Sequence, residues 1–332
     1  MRGVNKVAEK DNNSLGGKST LNVNSFVEAR DLVGEYLLVL AEKYPNLVVV
    51  DADVRVSART QKFFKKYPER TFDVGVAEQN AASIAAGLAH EGFIPFVSSF
   101  ACFMSMRSCE QIRSDICYGN LPAILLGLYA GYSNGISGAT HSGVEDCAIM
   151  SSFAGMTVLE PGDPWMVKKM LDAAIEKGGP VYIRLSREAG TSLYAQDYKY
   201  EIGKALIPRE GNDGAFVASG PCVRWAIEAS EIIEKKCGAK MRVVDCHTIK
   251  PIDKEAIGSA AKTGRIVCIQ DHIIYGGLGY HVGAAIAESG IGCKFKILGC
   301  PDKFVPIATP DFLYRENEMD TEGLVKNMMA FL

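Results

Sequence analysis

The stretch FDVGVAEQNAASIAAGLAHEGFIPFVSSFACF, residues 72–103, decides the reading of this chain. It sets one acid, Glu78, at the junction of a short apolar strand and a helix of small residues. A second apolar run follows, and then a spaced aromatic pair, Phe100 and Phe103. A carboxylate at a helix start usually only caps the helix, because it answers the free N–H groups and the positive end of the helix dipole. An acid followed by a tight Ala/Gly helix and a spaced aromatic pair is a rarer arrangement.

Outward from this stretch, short apolar runs alternate with helical ones. A helix is expected over residues 25–43, closed by Pro45, and LVVVDAD (47–53) reads as a buried strand ending in acids. A helix near 59–66 and a strand near 71–74 lead into the quoted segment. Beyond it, a helix is expected over 101–118, a strand over 123–128 and a Gly-rich loop to Ser142 that is too polar to be core. A strand over 157–160, a helix entered at Asp163-Pro164 and a strand over 181–185 complete the unit, with proline at the favoured first helical position. Residues 191–204, polar and Tyr-rich, read as a linker. A second alternating unit follows, with strands in AFVAS, MRVVD, RIVCIQD and near 294–298, and helices after Cys222, Asp253 and GGLG (276–279). Continuous apolar strands between helices argue for parallel sheets covered on both faces. The fold class is α/β, with two parallel-sheet domains at 23–190 and 205–332 behind a flexible leader at 1–22. A length of 332 residues suits two cores.

Net charge is −3, with 48% hydrophobic and 23% charged residues, which points away from nucleic acid and membrane surfaces. No apolar run approaches the roughly 20 residues of a bilayer span. The ten cysteines are scattered through apolar elements without a C-x-x-C pair, so a reducing cytoplasm is expected, with cysteine as a small core residue. The five histidines are dispersed and give no zinc-finger spacing; His90, His247 and His281 read as structural. GGLG lacks the full dinucleotide spacing and a P-loop lysine, so it reads as a packing turn.

GVAEQN around Glu78 and SSFACF around Phe100 and Phe103 resemble the pyrimidine-binding domain of transketolase-type thiamine diphosphate enzymes. The resemblance runs from about residue 20 to the C-terminus and includes the family's C-terminal domain. It implies that Glu78 hydrogen-bonds the pyrimidine nitrogen of thiamine diphosphate, in apolar, aromatic surroundings that favour the neutral carboxyl. Phe100 and Phe103 would pack on that ring, and Asp53 would approach the cofactor, with Asp51 structural. Arg30 in VEARDLVGE, Ser57 in DADVRVS and Arg187 in YIRLSRE would clamp substrate phosphate, which suits arginine's planar fork. His141 in GATHSGVED would contact sugar hydroxyls and share the catalytic role with Glu78.

Two departures bear on substrate. The family usually carries Asp where this chain has Ser137, and His where it has Tyr129. Both positions face substrate in the family, so the ketose donor is expected to differ from xylulose phosphate or to be handled differently. Ala130 stands where deoxyxylulose-phosphate synthases usually carry Arg, which argues against that activity. The family holds Mg²⁺ through G-D-G and a later Asn in a separate domain. Neither Asn212-Asp213-Gly214 nor Pro161-Gly162-Asp163 has that context. The resemblance therefore implies a separately encoded diphosphate-binding N-terminal subunit carrying the Mg²⁺ ligands, in an A2B2 assembly. The expected function is that of a split transketolase subunit moving a two-carbon ketol unit from a ketose phosphate to an aldose. The alternatives are a thiamine-dependent synthase using a 2-oxo acid and a noncatalytic stabilising partner.

Overall fold

The computed structural model describes residues 25–195 and 197–332, and the leader expected over 1–22 lies outside the described residues. The apolar runs become strands: β1 Leu47–Asp51, β2 Thr71–Asp73, β3 Ile94–Phe100, β4 Ile124–Leu128, β5 Thr157–Leu159 and β6 Val181–Leu185. The second half adds β7 Leu206–Arg209, β8 Gly214–Ala218, β9 Met241–Asp245, β10 Thr248–Lys250, β11 Arg265–Ile273 and β12 Lys294–Cys300. They form a seven-stranded sheet in the order β10-β5-β6-β4-β3-β1-β2 and a five-stranded sheet in the order β12-β11-β8-β9-β7.

Both sheets are parallel except at one edge, as the expected pair of parallel-sheet α/β domains requires for all but the last strand. β10 pairs antiparallel with β5, and β7 antiparallel with β9. Neither pair is linked by the single strand–helix–strand crossover that enforces parallel pairing. β10 also belongs to the second half in sequence but completes the first sheet.

Strands β1, β4, β6 and β8 are buried along their whole length, as apolar runs covered on both faces should be. Alternate residues serve opposite faces. Val49, Phe96, Leu126 and Ile183 meet Leu32, Val33, Leu37 and Leu40 of the helix Ala29–Lys43. Val50, Val97 and Leu125 meet Ala81, Ala82 and Ala85 of the helix Glu78–His90. The first helix starts four residues later than expected, because Val27 forms an antiparallel bridge with Gly190 and Glu28 is still extended. The single helix expected over 101–118 is broken into Ala101–Met106, Cys109–Gln111 and a π-helical turn Ile112–Cys117. The Ser105 and Ser108 hydroxyls donate to the carbonyls of Ala101 and Met104, a side-chain competition that bends helices.

A buried polar cluster joins the two sheets. Arg184 on β6 is fully buried and donates to Asp146 at 3.0 Å, to Glu160 at 2.5 Å and to the carbonyls of Gly143 and Asp271. Glu160 also accepts from Ser219 at 2.6 Å and Gln270 at 2.8 Å, both in the second half. Asp271 accepts from the Tyr132 N–H and the Tyr314 hydroxyl. The stretch read as a linker is anchored: Tyr194 donates to Asp245 at 2.6 Å, and the Tyr200 ring packs on His247. All ten cysteines are unpaired, and most are buried. Among the described residues, no helix is long and apolar enough to cross a membrane.

Candidate functional site

The residues singled out from the sequence gather where the parallel strands of the first sheet end, the edge at which open α/β sheets bind ligands. Glu78 is the first residue of the helix after β2 and only 3% exposed. Its alanine-rich helix lies close on the sheet and sinks the carboxyl. Ser99 on β3 donates to it at 3.1 Å, and Arg107 donates to both carboxylate oxygens at 3.3 and 3.2 Å. A cation and a hydroxyl therefore face Glu78, which corrects the expected apolar, aromatic surroundings.

Phe100 ends β3 and Phe103 lies on the next turn. Their rings stack at 5.8 Å with 17° between planes. His141 meets both rings edge-on, at 6.1 and 5.3 Å, and one of its ring nitrogens is tied to the Thr140 hydroxyl. Tyr129, just past β4, meets Phe100 edge-on at 4.7 Å.

The guanidiniums of Arg30 and Arg187 both lie over the Tyr129 ring, 5.0 and 5.3 Å from its centroid. Arg30 also bonds the Tyr129 hydroxyl and the Ser57 carbonyl, so Ser57 enters this cluster through its backbone. Glu28 pairs with Arg30 and lies 4.0 Å from Arg187. Burial works against the charge on Arg30, but the Glu28 hydrogen bond and charge outweigh it and raise its pKa. A continuous set of contacts thus runs from Glu78 through Arg107, Phe103, Phe100 and Tyr129 to the two arginines.

Two candidates, Asp53 and Ser137, stand differently. Asp53 is exposed on the turn after β1 and makes none of these contacts. The Ser137 hydroxyl donates to Asn134 inside its own loop. Asp51 is buried and accepts from the Val54 N–H at 2.6 Å, fixing the turn that presents Asp53. Asp53 and Tyr129 both have left-handed backbone, φ 60° and 58°. Such strain in non-glycine residues often clusters at functional sites.

The loop before His141 corrects another expectation. Residues Gly131–Gly135 are buried. Missing side chains let this backbone press on the second sheet's elements: a Cβ at Gly131 would lie 1.9 Å from Asp271 Oδ2, and one at Gly135 would lie 2.5 Å from Leu313. The polarity of the loop hid close packing.

Arg107, Glu28 and Ser99 were missed from the sequence. Glu28 left a faint signal, an acid just ahead of Arg30 at a helix start. Arg107 left none, since its partner lies 29 residues away on another element. Of the histidines, His247 and His272 are buried, and burial pushes His247 down to about 4. His272 accepts from the Ala148 N–H. His90 is exposed at the end of its helix, unlike the buried His247. Among the described residues one trio of metal-type ligands converges, Asp146, Cys147 and His272. Their polar atoms are already held by Arg184, Tyr182, Gln270 and Ala148, so the trio fits no metal.

Residues 26–191 match the model of the transketolase pyrimidine-binding domain, and residues 203–324 that of the transketolase C-terminal domain. The chain belongs to the transketolase family, as its pyrimidine-binding and C-terminal domains. Its relatives include C-terminal sections and single subunits of split enzymes. A putative transketolase C-terminal section of Methanocaldococcus jannaschii is 39% identical, over 89% of this chain and 93% of that one. One subunit of the apulose-4-phosphate transketolase of Phocaeicola vulgatus is 34% identical, over 93% and 99%. A solved split-gene transketolase, described as an inactive β4 tetramer, superposes with a TM-score of 0.83 at 33% identity, over 93% and 99%.

Proposed function

We propose that this chain is the pyrimidine-binding subunit of a two-chain transketolase that moves a two-carbon ketol unit from a ketose phosphate to an aldose acceptor. The observation that carries the reading is a buried Glu78 carboxyl within one contact set that holds the stacked Phe100 and Phe103, His141 and two arginines. These residues suit thiamine diphosphate, which when bound supplies the nucleophilic carbon and stabilises the carbanion. Glu78 hydrogen-bonds the pyrimidine nitrogen and controls its proton. Phe100 and Phe103 pack the ring, and Asp53 approaches it from the turn after β1. Arg30, Ser57 and Arg187 bind the substrate phosphate, and His141 orients sugar hydroxyls.

Mg²⁺ and the diphosphate fall to a separately encoded N-terminal subunit in an A2B2 assembly. The supporting observation is that the one trio of metal-type side chains that converges among the described residues, Asp146, Cys147 and His272, is already bonded. Residues 23–190 and 205–332 are taken as the two domains, with 191–204 between them, and the site of action as the cytoplasm. Ser137 and Tyr129 replace an acid and an imidazole of the family, so the donor is a ketose phosphate other than xylulose 5-phosphate. One relative named for apulose 4-phosphate supports such a change of donor.

The test is calorimetry of thiamine diphosphate with Mg²⁺, on the chain alone and on its complex with the co-expressed diphosphate-binding subunit. Binding only by the complex is expected, and tight binding by the chain alone overturns the split site. In the complex, Glu78→Gln should assemble normally and lose at least about 100-fold in turnover. Full activity of that variant would leave this chain a noncatalytic partner. A screen of ketose phosphates that finds ordinary efficiency with xylulose 5-phosphate would sink the donor assignment.

A further inference from the structure

Arg107 closes the helix Ala101–Met106 at the point where the chain breaks before Cys109. Its guanidinium carbon lies 4.0 Å from the Phe103 ring centroid, while one nitrogen donates to both oxygens of Glu78. The two ends of this pair differ sharply in exposure: the Arg107 side chain is 48% exposed and that of Glu78 only 3%. Guanidinium is planar, carries N–H donors in its plane and rests well on aromatic faces. Those are the properties that the proposed function asks of a pyrimidine ring: planar, against Phe103, hydrogen-bonded to Glu78.

We infer that Arg107 is an internal stand-in for that ring. The guanidinium and the cofactor's pyrimidine compete for Glu78 and Phe103, so the arginine swings outward as the ring docks. The inference rests on the proposed function. The asymmetry of exposure makes the exchange workable. Arg107 gives up Glu78 for water at small cost, because half of its side chain is already solvated. Glu78 has no such escape, and a buried carboxylate left with only the Ser99 hydroxyl and no cation is costly. The arginine therefore keeps the Glu78 charge balanced in the chain by itself and sets a threshold that a bound ring must exceed. Arg107 is a positioning residue on this account, acting through Glu78.

Arg107→Met keeps an apolar stem on Phe103 and removes the donors. In the complex with the diphosphate-binding subunit and Mg²⁺, this variant should bind thiamine diphosphate about five- to tenfold more tightly than the wild type. The same change should lower the melting temperature of the chain alone, and Glu78→Gln should abolish that difference. A double-mutant cycle should thus find coupling between the two residues in the chain alone and none in the loaded complex. If Arg107→Met does not fold, Arg107→Lys should tighten binding in the same direction by less, since an ammonium is not planar. Weaker or unchanged cofactor binding, or coupling that persists in the loaded complex, overturns the inference. A wild-type complex that binds no cofactor fails differently: it removes the proposed function and the inference with it.

Discussion

Two buried acids, Asp51 at the end of β1 and Glu78 at a helix start, differ in what meets them. Glu78 has a cation and a hydroxyl. Asp51 accepts from Val54 and is pushed up to about 6 by burial. An acid whose pKa rises on folding keeps a proton in the folded chain that the unfolded chain has lost. Stability therefore falls as pH rises from about 4 to about 6 and stays lower above that window. Asp51→Asn keeps the acceptor and removes the charge. It should raise stability at pH 7.5 by up to about 3 kcal/mol and by much less at pH 4.5, as urea titrations at the two values would measure. A gain of equal size at both would refute burial of charge as the cause. A second prediction concerns the donor. Tyr129→His combined with Ser137→Asp should move preference toward xylulose 5-phosphate by about tenfold or more in relative kcat/KM. Histidine tolerates the left-handed backbone at 129, so an unchanged preference would count against the assignment and not against folding. At this scale, motif reading picked out residues that the fold brings into one contact set and whose types are distinctive in local context: Glu78, Phe100, Phe103, His141, Arg30 and Arg187. It did not reach Arg107 or Glu28, whose importance comes from partners on other elements that a single sequence does not connect.

Among the elements, buried strands and their helices were legible because apolar runs and small-residue helices are one-dimensional signals. β10 was not, because three residues have no period and its partner, β5, lies far upstream. The broken helix over 101–118 was hidden too, since its serines bend the backbone through hydroxyl bonds that composition does not reveal. GGLG was read as packing, and its atoms agree. A Cβ at Gly277 would lie 2.6 Å from both Gln270 Oε1 and His272 Nδ1, and one at Gly279 would lie 2.6 Å from Ile297. The Leu278 N–H at this helix start is already taken by the Gln270 side chain at 2.7 Å. Gly279→Ala should therefore destabilise the chain by roughly 1–3 kcal/mol through overpacking against β12. A melting temperature within error of the wild type would mean that β12 gives way freely.

At the scale of the whole molecule, the Arg184 cluster bonds the two sheets together. Its charges are buried, but every one has several partners, and Glu160 is bonded from both halves. Arg184→Met would leave Asp146 and Glu160 buried without their cation, at a cost of about 3–5 kcal/mol. Calorimetry should find one unfolding transition in the wild type and two in this variant, as the halves lose their link. A single, merely shifted transition would place the coupling elsewhere. The cluster was invisible in the sequence, where an arginine inside an apolar run gives no sign of partners on other elements.

The placement of β10 also constrains how the chain is made. A ribosome releases β5 well before β10, so the outer edge of β5 lacks its strand partner until synthesis has passed Lys250. By then β7, β8 and β9 have emerged, and the first sheet closes only after most of the second has been built. A nascent chain paused in this interval carries an open strand edge, the feature that recruits other strands or a chaperone. A gene cut between the two halves would leave its N-terminal product with that edge permanently open.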